Sequence, residues 1–198
     1  MYVAIEGCIA SGKSTTAGLI ADALGFAQVR EQTEKHPFIS QFYADPQRFA
    51  LETELVFALI HYHQLHQLQD ADIVADFSPA KDIVFAEMNL AGKELEMFMS
   101  VYDMLNDRVP QPDIAIFLDL PVEECRRRCI ARGRTFEAGI KIEYLKRLRD
   151  YYLRSPERLG QEVRVLEVHP KESQDDVAAS VRSQWSRHLR DSSDVQFP

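Results

Sequence analysis

The stretch MYVAIEGCIASGKST, residues 1–15, decides the fold. A short apolar run, Tyr2 to Ile5, leads into Gly7-Cys8-Ile9-Ala10-Ser11-Gly12-Lys13-Ser14, which meets the pattern G-x-x-x-x-G-K-[ST] at each fixed position. From Ser14 to Leu24 apolar residues recur at helical spacing, so the loop falls where a buried strand passes into a helix. In that setting Gly7 and Gly12 let the backbone turn its N–H groups toward phosphate oxygens, and Lys13 reaches the β and γ phosphates. Ser14 offers a hydroxyl to Mg²⁺. Residues 7–15, through Thr15, are therefore the expected seat of ATP.

Outward from this loop, strand and helix signals alternate. Residues 27–30, 72–76, 114–120 and 163–168 read as further strands, and residues 46–68, 81–90, 94–109, 121–132, 141–153 and 174–189 as helices. The polar run EQTEKHP follows the second strand, and residues 191–198 read as a loose tail. Strands alternating with helices behind a phosphate loop imply an α/β fold: a five-stranded parallel sheet with helices on both faces, in one domain spanning residues 1–198. Ligands gather at the carboxyl ends of such strands, where Glu31 and Asp76 fall.

Composition narrows the function. The chain is 45% hydrophobic and 27% charged with a net charge of −8, which disfavours a nucleic-acid partner because duplex binding is driven by phosphate neutralisation. No apolar run approaches the roughly 18 residues of a membrane span, and Met1 leads straight into the first strand, so a cytoplasmic, membrane-free protein is expected. Cys8, Cys125 and Cys129 match neither a metal nor a disulfide framework, which predicts reduced thiols. Against the acidic background RRRCIARGR, residues 126–134, packs five arginines into nine positions. Beside a phosphate loop, such a cluster reads as an arginine lid over transferring phosphates, at about residues 128–137.

Further motifs resemble the deoxynucleoside kinases: Glu31 followed by His36-Pro37-Phe38, then Phe42-Tyr43-Ala44-Asp45-Pro46-Gln47-Arg48-Phe49, Phe85-Ala86, Arg132-Gly133-Arg134 with Glu137, and Tyr144-Leu145. The resemblance runs to about Tyr152. It implies the P-loop nucleotide kinase fold, a homodimer, and transfer of the ATP γ-phosphate to the 5′-hydroxyl of a small, nucleoside-like substrate. It assigns the general base to Glu31, the 3′-hydroxyl to Tyr43 and Glu137, the lid to Arg128, Arg132 and Arg134, and the metal and phosphate side of the site to Asp76 with Ser14. A carboxylate base and preorganised cations are what a sugar hydroxyl and a loose phosphoryl transition state require.

This chain also departs from the family pattern. Asp76-Phe77-Ser78 lacks the arginine usual at the second position, and Lys81 is a candidate replacement for that cation, without the bidentate fork. Glu54 stands where the family has a base-reading glutamine, and His61, seven residues later, where it has an arginine. A carboxylate only accepts hydrogen bonds, so Glu54 favours a base edge presenting donors, such as the N1–H and amino group of guanine or the amino group of adenine or cytosine. Asp82 is a further candidate at the base. His61, His63 and His66 do not share one helix face, which argues against a metal site. Two other readings stand beside the kinase: phosphotransfer to a nucleoside monophosphate or another small alcohol, and a nucleotide-binding homologue without catalysis.

Overall fold

The computed structural model describes residues 1–154, 159 and 162–193. Five strands, β1 (Tyr2–Gly7), β2 (Ala27–Val29), β3 (Ile73–Ala75), β4 (Ile114–Asp119) and β5 (Glu162–Glu167), form one parallel sheet in the order β2-β3-β1-β4-β5. The helices are α1 (Lys13–Leu24), α2 (Ile39–Ala44), α3 (Pro46–Leu65), α4 (Ala80–Asn89), α5 (Lys93–Asn106), α6 (Val122–Arg132), α7 (Ile142–Arg154) and α8 (Gln174–Ser193). Most bounds lie within a few residues of those read from periodicity. Residues 191–193 continue α8 instead of forming a loose tail, and residues 194–198 of that expected tail lie outside the described residues. The short helix α2 and a 3-10 turn at Thr33–Lys35 went unread, because runs this brief carry too little periodicity to register.

Burial on both faces explains why the strands read as continuous apolar runs. Successive residues of β1 point to opposite faces. Val3 and Ile5 pack with Ile20, Val181 and Trp185, while Tyr2 and Ala4 pack with Leu65, Val84 and Tyr152. The chain runs from β1 to β2 and β3 on one side, then crosses to β4 and β5 on the other. The carboxyl end of β1 is thus the switch point where a crevice opens. The motif Tyr43-Ala44-Asp45-Pro46 has a structural task there. Asp45 caps α3 by accepting from the Arg48 backbone N–H at 3.3 Å, and Pro46 opens the helix with its φ already set. The start of α3 fixes which of its side chains meet the crevice.

Candidate active site

A cavity of about 550 Å³ lies over the carboxyl ends of β1, β2 and β3 and takes its walls from the phosphate loop, α3, α4, the arginine segment and Tyr144. At the loop, Gly7 and Gly12 have φ of +148° and +106°, which side chains rarely adopt. A Cβ on Gly7 would also sit 2.8 Å from the Leu118 carbonyl, so the loop could not close over β4 with a larger residue. Lys13, half-buried at the start of α1, donates to the Gly7 and Cys8 carbonyls at 2.9 Å each. Ser14 donates its hydroxyl to Asp76, whose other oxygen accepts from the Glu31 backbone N–H at 2.7 Å. Two oxygen donors in contact on the cavity wall suit a hard cation that takes its remaining ligands from phosphate and water. Among the described residues no group of three or more His, Cys, Asp or Glu side chains is arranged to hold a metal; His61 and His63 lie on α3, and His66 caps its carboxyl end.

Around Glu31 the structure builds a buried charge network. Lys81 on α4 is ion-paired to Glu31, and His61 bridges two carboxylates, its Nε2 lying 3.1 Å from Glu31 and its Nδ1 2.7 Å from Asp82. Ionised carboxylates only accept, so both ring nitrogens must donate and the ring is an imidazolium. Burial works against that charge, but Asp82 and Glu31 outweigh it and push the ring up to about 9. Burial likewise opposes ionisation of Glu31, yet Lys81 and His61 hold its carboxyl well below the usual range. Phe77, which replaces the expected arginine, is fully buried and stacks on the His61 ring at 4.3 Å. The changes at positions 61, 77 and 81 therefore meet at one point. Lys81 is committed to Glu31, while His61 is shared between Glu31 and Asp82.

The remaining residues also converge. Glu54 is buried in the wall with one oxygen accepting from Asn89 at 2.8 Å. Glu137 is held by Arg132 at 2.6 and 3.1 Å and approached by Arg134, while Tyr43 stacks on Phe136 at 6.0 Å. Arg128 pairs with Glu124 at 2.8 Å and reaches the Ser11 carbonyl, which ties α6 to the phosphate loop. All three arginines border the cavity and end on carboxylates, Arg134 on Glu34 as well. Sequence reasoning missed Gln174, Asn89, Thr53 and Phe57. Gln174 sits against Gly12 from the start of α8, a juxtaposition that only sheet topology creates.

The network makes stability depend on pH. The folded-state value of His61 lies above its ordinary 6.5, so its contribution is complete below pH 6.5 and is lost as pH rises through about 9. Glu54, pushed up to about 8 by burial against the opposing Asn89 bond, acts in the same direction between its ordinary 4.5 and 8. Urea unfolding at pH 6.5 and 9.5 should show a fall on the order of 3 kcal/mol from His61. His61→Gln should flatten the profile above pH 8, and an unaltered profile would mean that the ring is neutral.

Comparison with known proteins points to one family. A family model described as deoxynucleoside kinase matches residues 3–190. A deoxyguanosine kinase of Bacillus subtilis (strain 168) is 31% identical over 153 residues, covering 74% of either chain. A deoxyguanosine kinase of Dictyostelium discoideum is 28% identical over 161 residues, which span 76% of this chain and only 56% of that one. In three dimensions the chain is similar to a deoxyadenosine kinase from M. mycoides solved with bound dCTP, with a TM-score of 0.78 at 21% identity over 94% of this chain and 100% of the other. At that identity the likeness speaks for the fold.

Proposed function

The chain belongs to the deoxynucleoside kinase family and phosphorylates a nucleoside, and we propose that it moves the γ-phosphoryl group of ATP to the 5′-hydroxyl with Glu31 as proton acceptor. The observation that carries this assignment is the Glu31 carboxylate, kept ionised by Lys81 and His61 on the wall between the phosphate loop and α3. In a loose phosphoryl transition state, positioning counts for more than basicity, so a strongly held carboxylate suits the task. Lys13 and the N–H groups of residues 7–15 receive the triphosphate. Arg128, Arg132 and Arg134 complement charge on the transferring oxygens, exchanging carboxylate partners for phosphate. Tyr43 and Glu137 face the sugar and hold its 3′-hydroxyl.

Ser14 and Asp76 would hold Mg²⁺, which supplies charge neutralisation when bound with ATP. Neither phosphotransfer to a monophosphate nor loss of catalysis is favoured, since these relatives are nucleoside kinases and Lys13, Glu31, Arg128, Arg132 and Arg134 line one cavity. No helix among the described residues is long and apolar enough to cross a membrane. The buried, unpaired Cys8, Cys125 and Cys129 fit a reducing cytoplasm. Leu59 on α3 with Met97 and Met104 on α5, each about half exposed, supports a two-fold dimer through these helices. Light scattering at micromolar concentration reads that state.

ATP consumption with Mg²⁺, measured against the four deoxynucleosides, their ribo forms and their monophosphates, tests the activity. Consumption with monophosphates alone would overturn it. In the same assay Lys81→Ala should lower kcat/KM by about 1.5–3 kcal/mol, because Lys81 positions Glu31 through a charged hydrogen bond. A silent substitution would mean that Glu31 is held without it.

A further inference from the structure

The base end of the cavity contains a carboxylate with too few partners. Glu54 is 2% exposed, and its one side-chain hydrogen bond among the described residues comes from the neutral amide of Asn89. The charged groups around it are engaged elsewhere. On its own helix His61 bridges Glu31 and Asp82; on α4 Lys81 is paired with Glu31; on α7 Arg147 donates to the Met88 carbonyl at 2.9 Å. Tyr144, also on α7, lies beside Glu54 with its hydroxyl kept protonated by burial. An under-satisfied buried carboxylate on a cavity wall calls for donors from a ligand.

Helix geometry says which part of the ligand brings them. Glu54 precedes His61 by seven residues, close to two turns, so both side chains leave α3 on one face about 10 Å apart along the axis. His61 contacts Glu31, so a nucleoside whose 5′-oxygen rests at Glu31 extends along α3 toward Glu54 with its base. Guanine presents an N1–H and an amino group side by side, the pair a carboxylate accepts in bidentate fashion, with an adjacent carbonyl that Tyr144 can donate to. Adenine and cytosine present an amino group beside a bare ring nitrogen, which repels a carboxylate.

We propose that the Glu54 carboxylate selects the base as guanine, making deoxyguanosine the preferred substrate; this rests on the nucleoside kinase reading above. Burial pushes Glu54 up to about 8, only partly offset by Asn89. The two guanine donors favour its ionised form, so deoxyguanosine binding near pH 7 releases the carboxyl proton to solvent. Adenine and cytosine need that proton retained, to donate to the ring nitrogen. The preference for guanine over adenine should therefore rise between pH 6.5 and 8.5.

The test combines steady-state kinetics with calorimetric binding of deoxyguanosine, deoxyadenosine and deoxycytidine to the full chain and to Glu54→Gln. Wild type should favour deoxyguanosine. The amide should lower its kcat/KM by about 10–100-fold, mainly through KM, change deoxyadenosine far less, and abolish proton release on binding. A wild-type preference for deoxyadenosine or deoxycytidine, or a purine ratio unmoved by the amide, would overturn the proposal. Deoxyguanosine binding that Glu54→Gln weakens, without transfer, would support it and refute the kinase reading. Transfer with an unmoved ratio does the reverse. Should the amide fail to fold, Glu54→Asp keeps the charge and should retain the guanine preference at lower kcat/KM; its loss would count against the proposal.

Discussion

Replacing Lys13 by alanine is expected to abolish transfer, with kcat falling by about 10³-fold or more. Charge in the transition state is spread over phosphoryl oxygens, and the lysine of the phosphate loop is the cation that the loop itself brings to them. The fold should survive. Lys13 donates to the Gly7 and Cys8 carbonyls, and two such bonds contribute about 0.5–1.5 kcal/mol each, which for a chain of this size is a drop of several degrees in Tm. Turnover measured beside thermal unfolding separates the two effects. Full turnover in a folded Lys13→Ala protein would refute phosphoryl transfer at this loop.

Glu31→Gln should lower kcat by about 10²-fold or more while ATP binding persists. Gln is nearly isosteric but takes no proton from the hydroxyl. The substitution also acts through its neighbours: without the negative charge, Lys81 loses its ion pair and His61 keeps only Asp82 as a charged partner, so the ring should titrate at lower pH. An NMR titration of His61 reads that shift independently of turnover. An unchanged kcat would place the base elsewhere, with Asp76 the next carboxylate in reach, already bonded to Ser14 and the Glu31 backbone.

Legibility in the sequence followed the length scale of each interaction. The phosphate loop needed no more than a local pattern, because its turn, its lysine and its hydroxyl all lie within residues 7–15. The family motifs located Glu31, Tyr43, Glu137 and the arginines in the same way, and the cavity draws on all of them. The departures at positions 54, 61, 77 and 81 were visible singly, but not as a set. What joins three of them is a ring stacked on Phe77 and a carboxylate shared by His61 and Lys81, contacts spanning 16 to 50 positions in the chain.

By itself the sequence determined the class of fold, since apolar runs at strand length alternating with helical periodicity leave a parallel sheet as the arrangement that buries both faces. It located the phosphate-loop motif between β1 and α1 as well, where backbone turn and side chain come from one short segment. Only the tertiary structure decided the ionisation of the site. Whether Glu31 is charged, His61 an imidazolium and Glu54 pushed up depends on burial and on charges that β2, α3 and α4 bring within a few ångströms of one another. Those energies vary steeply with distance and local dielectric, quantities that no linear pattern of residues contains.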